Sequence, residues 1–275
     1  RVQPLLGRAR VGVLGLGREG ASTCQHLLSL VDKLDLTVID DDATAALRIP
    51  LAQRPSQSVR FVSGPHAGRW PELDNVFKSP GARPDHPVMA LERRPSIVTS
   101  NTELFFEHRA GRFIGVTGTK GKSTTTSLIA HVLSAASKDA RLIGNIGTPC
   151  LDGLDGAAAN TIYCIELSSF QLENLRARLD VAVVLGMFGD HFDRYGDMPS
   201  YIDAKSSIAR YQSRHDLLLY NADCPRATAL AALSVGRRVA FDRTRPLLLA
   251  DTKGPLLGDF NNYNLWPAVL VGRHF

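Results

Sequence analysis

The stretch that most constrains this chain is Phe113–Ser127, which reads as a short apolar strand, a glycine-rich turn and the start of a helix. Spaced glycines let the backbone approach an anion, and such a turn aims several N–H groups at it. Lys122 and Ser123 occupy the positions where a P-loop carries its phosphate-binding lysine and its magnesium-binding hydroxyl. The strict pattern has a glycine where this chain has Val116. The stretch still predicts a nucleotide triphosphate loop, and the alternative is a surface turn rich in lysine and threonine.

Length and composition limit the class of protein. A chain of 275 residues is long enough for two domains, each able to bury its own core. The net charge of +5 is spread along the chain rather than clustered, so we expect no nucleic-acid partner. No apolar run approaches the roughly 20 residues that span a bilayer, so we expect no membrane segment.

The amino end and the cysteines bear on the compartment. Arg1–Arg10 is basic, but the apolar Val11–Leu16 that follows is short and broken by glycine, so no signal peptide is expected. The four cysteines lie far apart and include no Cys-x-x-Cys pair, which favours reduced thiols over a zinc site or a disulfide framework. We expect a cytoplasmic protein that acts as a monomer.

The amino-terminal half has the pattern of a dinucleotide-binding fold. Arg10–Leu14 predicts a strand that runs into Gly15-Leu16-Gly17-Arg18-Glu19-Gly20, followed by a helix over Ala21–Val31. The next strand, Leu36–Ile39, ends at Asp40, where such a fold keeps a ribose-binding acid. The motif serves any ligand whose pyrophosphate rests on a helix N-terminus, so nicotinamide dinucleotides and nucleotide sugars both remain possible.

A second turn and a connector complete this half. Ser79-Pro80-Gly81 follows a predicted strand end and supplies further donors in the same crevice; the alternative is an ordinary turn. Pro95–His108 predicts a connector with one strand, Ser96–Thr99, and a short helix, Glu103–His108. We place the domain boundary near Ala110–Arg112.

Polar residues follow the strands of the second half. Arg141–Ile143 predicts a strand that leads to Asn145, held between glycines and a candidate for contact with a substrate or a metal shell, or else a plain turn asparagine. Thr161–Leu167 predicts a buried strand that ends in Glu166. A carboxylate at the end of a parallel strand beside a phosphate loop is well placed to hold magnesium, and the alternative is a salt-bridged glutamate.

Further along, Val181–Leu185 predicts a strand that delivers Asp190 and His191 to the same edge of the sheet. Hard oxygen ligands with one imidazole suit a second magnesium or manganese site better than zinc. Ser200 is expected to cap a helix that carries Lys205. Additional strands are predicted at these ranges: Leu217–Tyr220, Val239–Phe241 and Leu247–Leu249.

The chain ends in an asparagine-rich stretch that enters a short helix. Asn261 and Asn264 carry amides that can read an adenine edge through a paired donor and acceptor.

Several motifs occur together in one order, and in that order they resemble the Mur ligase family, within it the glutamate-adding type. The motifs are Gly118-Thr119-Lys120-Gly121-Lys122-Ser123, Gly144-Asn145-Ile146-Gly147, Glu166-Leu167-Ser168-Ser169-Phe170-Gln171-Leu172, Asp190-His191-Phe192-Asp193-Arg194-Tyr195 and Ala204-Lys205. The resemblance extends over nearly the whole chain. The loop with Val116 is the form that this family uses.

The resemblance implies a fold and a division of labour. It implies an α/β protein with a Rossmann-like domain over residues 1–110 that binds a UDP-sugar, followed by a P-loop-type ATPase domain with a mainly parallel sheet over residues 111–275. The family continues into a third, amino-acid-binding domain, which we expect to be absent from this chain. We therefore expect the chain to be an incomplete catalyst by itself.

The chemistry implied by the resemblance is ATP-dependent ligation in peptidoglycan synthesis. ATP phosphorylates the carboxylate of UDP-N-acetylmuramoyl-L-alanine, and the amine of glutamate attacks the acyl phosphate. The cofactors are ATP and magnesium at two sites, with manganese as an alternative. The sequence leaves the epimer of glutamate open.

The resemblance also assigns roles by residue. The residues implied to bind ATP are Gly118, Thr119, Lys120, Gly121, Lys122, Ser123, Thr124, Asn261 and Asn264. Those implied to bind the UDP-substrate are Gly15, Leu16, Gly17, Arg18, Asp40, Asp41, Ser79, Pro80, Gly81 and Asn145. Those implied to hold metal are Ser123, Glu166, His191 and Lys205, the last as a carbamylated lysine. Lys122, His191 and Lys205 are the implied catalytic residues.

One departure and three alternatives stand beside this interpretation. Phe260 occupies the position of a family histidine, which predicts a different stacking partner for adenine. A related ligase that adds another residue, a module that binds UDP-sugar and ATP without catalysis, and a nicotinamide oxidoreductase are the alternatives.

Overall fold

The computed structural model describes residues 9–45, 54–64, 72–82, 86–87, 97–108, 110–242, 244 and 261–275. The chain forms two compact units, Arg1–Arg109 with Pro149–Asp155, and Ala110–Thr148 with Gly156–Phe275. The predicted α/β fold class with mainly parallel sheets is confirmed. None of the described helices combines the length and apolar character needed to cross a bilayer.

The first unit contains a five-stranded sheet in the order β3-β2-β1-β4-β5, and each neighbouring pair is parallel. Its strands are β1 Arg10–Leu14, β2 Asp35–Asp40, β3 Ser58–Ser63, β4 Asn75–Lys78 and β5 Ile97–Thr99. Its described helices are α1 Arg18–Leu30 and α2 Asn101–Glu107, with a 3₁₀ turn at Leu151–Leu154. The strand order reverses between β1 and β4, and in open α/β sheets ligands bind beyond the carboxyl ends of the strands at such a point.

Helix α1 begins at Arg18, three residues before the predicted start at Ala21. The reason lies in the glycine-rich turn, where Gly15 adopts φ +85° and Gly17 caps the helix with an extended backbone. Gly20 therefore belongs to the first turn of the helix. A Cβ at Gly20 would lie 1.9 Å from Gly15 O, so the turn can close this tightly only because the residue has no side chain.

The segment Pro149–Asp155 belongs to the first unit although the chain on both sides of it belongs to the second. Asn101 holds it there, since its Oδ1 accepts a hydrogen bond from Leu151 N at 3.4 Å. Asn101 Nδ2 lies 3.2 Å from Ser22 Oγ, and the Ser22 hydroxyl donates to Asp152. The sequence-based boundary near residue 110 places this segment in the second domain, and the functional roles of the two domains stay a prediction.

The second unit contains a six-stranded sheet in the order β11-β10-β9-β6-β8-β7, again with parallel neighbours. Its strands are β6 Arg112–Thr117, β7 Ala140–Gly144, β8 Ile162–Glu166, β9 Val181–Val184, β10 Leu217–Asn221 and β11 Arg237–Phe241. Every residue of β8 and β9 is buried, as expected for parallel strands covered on both faces. Strand β6 lies between β8 and β9, so the residues that follow these three strands meet at one edge of the sheet.

Helices cover this sheet and form its core with it. They are α3 Lys122–Ala135, α4 Ser169–Leu172, α5 Phe192–Tyr195, α6 Met198–Arg210, α7 Pro225–Ala231 and α8 Asn261–His274. The buried cluster includes Ile114, Ile129, Leu133, Val183 and Val271, from two strands and from helices α3 and α8. Gly272 of α8 lets that helix approach α3 closely, because a Cβ there would lie 2.8 Å from Val132 Cγ1.

Some local predictions were wrong in extent or missing. Asp197, not Ser200, caps α6, because its carboxylate accepts a hydrogen bond from Ser200 N at 2.8 Å. Strand β3 and helix α7 were not predicted, and α8 is a helix of 14 residues rather than a short one. The predicted strand Leu247–Leu249 and Phe260 lie outside the described residues.

Candidate nucleotide-binding site

The turn after β6 has the geometry of a phosphate loop. Gly118 and Gly121 adopt φ values of +153° and +84°, which residues with a side chain rarely adopt. A Cβ at Gly118 would lie 2.7 Å from Leu185 Cβ, so the loop also needs glycine for space. Gly121 is the N-cap of α3, which begins at Lys122. The loop therefore ends at a helix N-terminus, where free N–H groups and the helix dipole favour an anion.

The loop is fixed to the end of β9 through Thr119. Thr119 N donates to Gly186 O at 2.8 Å, and Thr119 Oγ1 accepts from Phe188 N at 2.9 Å. The same hydroxyl lies 3.0 Å from Phe188 O and 3.1 Å from the hydroxyl of Tyr201 on α6. The Thr119 side chain is thus used to hold the loop rather than to face a ligand.

The remaining predicted loop residues differ in exposure. Lys120 and Ser123 are exposed, and Thr124 is half-buried, on the first turn of α3 or just before it. Lys122 Nζ donates to Gly118 O at 3.2 Å and to Thr119 O at 3.1 Å, so its side chain folds back over the loop. Burial lowers the pKa of Lys122, and the charges of Glu166 and Asp190 oppose this effect. The ammonium group therefore lies where the phosphates of a nucleotide would need a cation.

Glu166, at the end of β8, is 1% exposed and is oriented by Asn145. Asn145 Nδ2 donates to Glu166 Oε1 at 2.7 Å, and Asn145 N donates to Glu166 O at 3.0 Å. Gly144, with φ +102°, allows this approach, because a Cβ there would lie 2.4 Å from Glu166 O. The Asn145 side chain therefore contacts the Glu166 carboxylate and holds it in position.

The other carboxylate oxygen, Glu166 Oε2, is buried and has no hydrogen-bond partner among the described residues. A buried anionic oxygen without a partner is costly, and a bound cation removes that cost. A carboxylate oxygen is a ligand that magnesium binds well. The described residues contain no group of three or more His, Cys, Asp or Glu side chains placed to share one metal ion. Magnesium commonly keeps waters and phosphate oxygens as its other ligands, so Glu166 fits such an ion.

Lys205 is a buried lysine beside the loop, with a side chain that is 1% exposed. Its Nζ donates to Gly118 O at 3.2 Å and to Thr117 Oγ1 at 3.4 Å. The Tyr201 ring lies 4.7 Å from Nζ. Burial first and the nearby Lys122 charge second lower the pKa of Lys205 to about 7, and the charges of Asp190 and Glu166 partly oppose this shift. A substantial fraction of this amine is therefore uncharged near neutral pH.

His191 lies at the start of α5 in a left-handed backbone conformation, with φ +52° and ψ +36°. This conformation is uncommon outside glycine and often marks a functional position. Its ring is half-exposed, lies 4.9 Å from the Phe170 ring, and its Nε2 lies 3.6 Å from Asp190 Oδ2. The Asp190 charge partly opposes the lowering of the pKa of Lys122 and of Lys205, so this loop faces the same edge of the sheet.

Asn261 and Asn264 lie on the first turns of α8, and each residue is 6% exposed. Asn264 contacts the phosphate-loop helix through Thr125 Oγ1, which donates to Asn264 Oδ1 at 3.3 Å. The structure therefore brings Asn264 to the loop itself.

In the first unit, the predicted substrate residues converge at the ends of β1, β2 and β4. Ser79 Oγ donates to Gly15 O at 2.8 Å. Leu16 N donates to Asp40 Oδ2 at 2.6 Å, and Asp42 N donates to Asp40 Oδ1 at 2.8 Å. Both carboxylate oxygens of Asp40 therefore already accept backbone hydrogen bonds, and the residue shapes the turn.

The other predicted residues of this unit lie nearby in sequence. Gly17 and Arg18 are exposed where α1 begins, and Pro80 and Gly81 form a turn closed by Ala82 N donating to Ser79 O at 2.9 Å. Asp41 Oδ1 lies 3.5 Å from His86 Nε2. Whether these residues contact a substrate stays a prediction.

Sequence reasoning missed Tyr201, which is 1% exposed and contacts both Thr119 and Lys205. A signal was present, since Tyr201 precedes Lys205 by four residues on one predicted helix and the two side chains share a face.

Comparison with known proteins supports the interpretation of the second unit. Residues 116–243 match the Mur ligase middle domain, a range that contains the phosphate loop, Glu166, His191 and Lys205. The chain belongs to the Mur ligase family. Mur ligases generally use ATP and Mg²⁺.

Individual relatives within this family are longer than the chain. It is 34% identical over 242 residues to the UDP-N-acetylmuramoylalanine–D-glutamate ligase of Clostridioides difficile, a match that covers 86% of the chain and 53% of that enzyme. It is 37% identical over 220 residues to the enzyme of the same name from Rickettsia prowazekii, covering 78% of the chain and 47% of that enzyme. The chain thus spans about half the length of these curated relatives.

A solved structure shares the fold. It is UDP-N-acetylmuramate:L-alanyl-gamma-D-glutamyl-meso-diaminopimelate ligase from Neisseria meningitides, with a TM-score of 0.65 and 16% sequence identity. The match covers 96% of the chain and 93% of that structure. At this identity the likeness concerns the fold alone.

Proposed function

We propose that the protein carrying this chain is an ATP-dependent ligase that adds D-glutamate to UDP-N-acetylmuramoyl-L-alanine through an acyl phosphate, in cytoplasmic peptidoglycan synthesis. Many relatives at 31–37% identity carry the name of this D-glutamate ligase. This family assignment favours ligation over the oxidoreductase alternative. The monomeric state stays a prediction.

The observation that carries the proposal is the group of charges at the carboxyl end of the second sheet. Lys122 and Lys205 lie against the phosphate loop, and the charges of Glu166 and Asp190 act on both amines, where they oppose the lowering of the two pKa values by burial. Such a mixed cluster stabilises an anionic ligand on the cationic side and a metal ion on the anionic side. A structural ion pair alone would not leave Glu166 Oε2 buried and without a partner among the described residues.

The reaction requires a carboxylate to attack the γ-phosphate of ATP, although both groups are anions. The loop N–H groups at the start of α3 and the Lys122 ammonium bind the phosphate oxygens and stabilise the charge that develops on them. Gly118 and Gly121 bring the backbone close enough for this contact. These groups are fixed before the nucleotide binds, since Thr119 anchors the loop to the end of β9.

Magnesium, when bound, neutralises phosphate charge and orients the transferred group. Glu166 would hold it through Oε2, while Asn145 keeps Oε1 in place, and Ser123 and His191 are the other residues we assign to metal. We propose two magnesium sites, with manganese as an alternative metal.

Lys205 is proposed to be carbamylated. Its uncharged amine attacks carbon dioxide, an N–C bond forms, and one N–H proton leaves to solvent, so the lysine becomes an anionic carbamate. The lowered pKa of about 7 supports this step, because only an uncharged amine has the lone pair for attack. The carbamate would turn a buried cation into a metal-binding anion.

The first unit is proposed to bind the UDP part of the substrate. Its glycine-rich turn precedes the N-terminus of α1, at the point where the strand order reverses between β1 and β4. Gly15, Gly17 and Ser79 are the residues we expect nearest the diphosphate. Asp41 is a better candidate for the uridine than Asp40, whose carboxylate already binds the backbone.

The test is phosphate release by the full-length protein. We expect release from ATP only when magnesium, UDP-N-acetylmuramoyl-L-alanine and D-glutamate are all present. Lys122→Ala should abolish release, and the matched control Lys138→Ala, at an exposed lysine, should not. Equal release with L-glutamate or with another amino acid would contradict the proposed specificity, and release without any amino acid would contradict ligation.

A further inference from the structure

Helix α8 places two buried amides directly beneath the phosphate loop. Asn264 Nδ2 donates to Asn261 Oδ1 at 2.9 Å, and Asn264 Oδ1 accepts from Thr125 Oγ1 at 3.3 Å. Thr125 is fully buried on the first turns of α3, where its N donates to Gly121 O at 2.9 Å. The Asn264 amide is therefore bonded at both its oxygen and its nitrogen to protein groups.

The same amide touches the residue that gives the loop its shape. A Cβ at Gly121 would lie 2.3 Å from Asn264 Oδ1, so the amide oxygen packs against the Cα of this residue. Gly121 is the N-cap of α3 and has φ +84°. If Asn264 moved, space would open beside Gly121. The backbone of Gly121 sets the direction of the Lys122 side chain and of the free N–H groups at the start of α3.

We propose that Asn264 is a positioning residue of the phosphate loop rather than a reader of the adenine edge. An amide reads adenine by presenting a free donor and a free acceptor side by side. Asn264 is 6% exposed, and one bond at its oxygen and one at its nitrogen fix the amide towards protein groups, so little of its polar edge faces a ligand. Its contacts reach Gly121 and Thr125, so a change at Asn264 reaches the phosphates and not the base.

This inference rests on the proposed function, which makes ATP the ligand. It connects Asn264 with the phosphates of ATP and not with the adenine base. The first experiment compares Asn264→Ala with the matched control Asn174→Ala, at an exposed asparagine, by titration with Mg-ATP, Mg-GTP and inorganic tripolyphosphate. We expect Asn264→Ala to lower the affinity for ATP and the affinity for tripolyphosphate by the same factor, about tenfold. This factor corresponds to the loss of one to two hydrogen bonds. The ratio of ATP to GTP affinity should stay unchanged.

Three results of this titration would overturn the inference. They are a loss of ATP binding with tripolyphosphate binding intact, a changed ATP-to-GTP ratio, and unchanged affinity for every ligand. If the unsubstituted protein binds neither ATP nor tripolyphosphate, the proposed function fails. The positioning role of Asn264 is then tested by a measurement on the ligand-free protein.

That measurement is hydrogen exchange of the ligand-free protein. Asn264→Ala should speed the exchange of amides in the loop Gly118–Ser123 by about tenfold, and the strand amides of β10 should keep their rates. Unchanged loop exchange would refute a positioning role, whatever the protein binds.

A second variant guards against a folding defect in Asn264→Ala. Thr125→Val keeps the shape of the buried side chain and removes the hydrogen bond to Asn264 Oδ1. We expect it to change loop exchange and tripolyphosphate affinity in the same direction by a smaller factor. The double variant should be no worse than Asn264→Ala alone, because the two residues act through one contact. Additive losses would show that they act independently.

Discussion

The buried amine of Lys205 leads to a prediction about stability that can be worked through in numbers. Replacing it by methionine keeps the length and most of the volume of the side chain and removes the charge. In the unfolded chain the amine has its ordinary pKa of 10.5, whereas burial lowers the pKa to about 7 in the folded protein. The folded state therefore binds this proton less well than the unfolded state between these two pH values.

The sign of the effect follows from linkage. Because the pKa of Lys205 is lower in the folded protein, this residue costs no stability above pH 10.5. The free energy of unfolding then falls as the pH drops from 10.5 towards 7. The difference between the two pKa values, at about 1.36 kcal/mol per pH unit, amounts to roughly 5 kcal/mol. Against this, methionine forfeits hydrogen bonds to Gly118 O and Thr117 Oγ1 and the contact with the Tyr201 ring, roughly 1 kcal/mol each.

We therefore expect Lys205→Met to stabilise the second unit by about 2 kcal/mol at pH 7, and to destabilise it by a similar amount at pH 10. Urea unfolding followed by circular dichroism, at both pH values in buffer free of carbon dioxide, measures the difference. Lys138→Met, at an exposed lysine, is the control and should change little at either pH. A difference independent of pH, or a loss of stability at pH 7, would refute the reasoning. Phosphate release should disappear in Lys205→Met although the protein is more stable.

Three further predictions concern other contacts. Asn145→Ala should lower phosphate release about tenfold to a hundredfold, because Glu166 Oε1 loses its donor; a variant with normal magnesium dependence would contradict the positioning of the carboxylate. Tyr201→Phe should raise the KM for ATP several-fold and cost about 1 kcal/mol in urea unfolding, through loss of the hydroxyl contact to the loop, and unchanged values for both would argue against that contact. The pKa of His26 is lowered to about 4 by burial and then by the nearby His108, so the stability of the first unit should fall as the pH drops from 6.5 towards 4. In His26→Gln this acid sensitivity, measured by urea midpoints at pH 7 and pH 5, should be smaller, and an equal fall would exclude His26 as its cause.

The phosphate loop and the strand-end polar residues could be predicted because their signals are local. The glycine before Lys122 and Ser123 predicts a turn after a strand, and the apolar run before Glu166 predicts that this residue ends a buried strand. Each of these predictions needs only a few neighbouring residues of sequence. The order of β8, β6 and β9 then brings these ends together, as such a sheet requires.

The contacts that hold the loop could not be predicted in this way. Thr125 and Asn264 are 139 positions apart, and nothing in either local pattern indicates that they meet. For Asp40 the spacing predicts a ribose ligand, and that role stays a prediction; the spacing did not indicate that its carboxylate also accepts hydrogen bonds from Leu16 N and Asp42 N. A sequence motif predicts where a side chain lies in the fold, but it does not predict which of its polar atoms already bind other protein groups.

The segment Pro149–Asp155 has a practical consequence for any work on the separate units. The chain passes from one unit to the other three times, so the second unit is not a continuous stretch of sequence. A fragment that starts at residue 110 would carry Cys150 and Leu151 away from the helices that bury them, leaving a thiol and an apolar side chain in water. Such a fragment should aggregate or oxidise unless a short polar linker replaces the segment. A protease cut within this segment would divide the chain into two fragments, and each fragment would carry parts of both units.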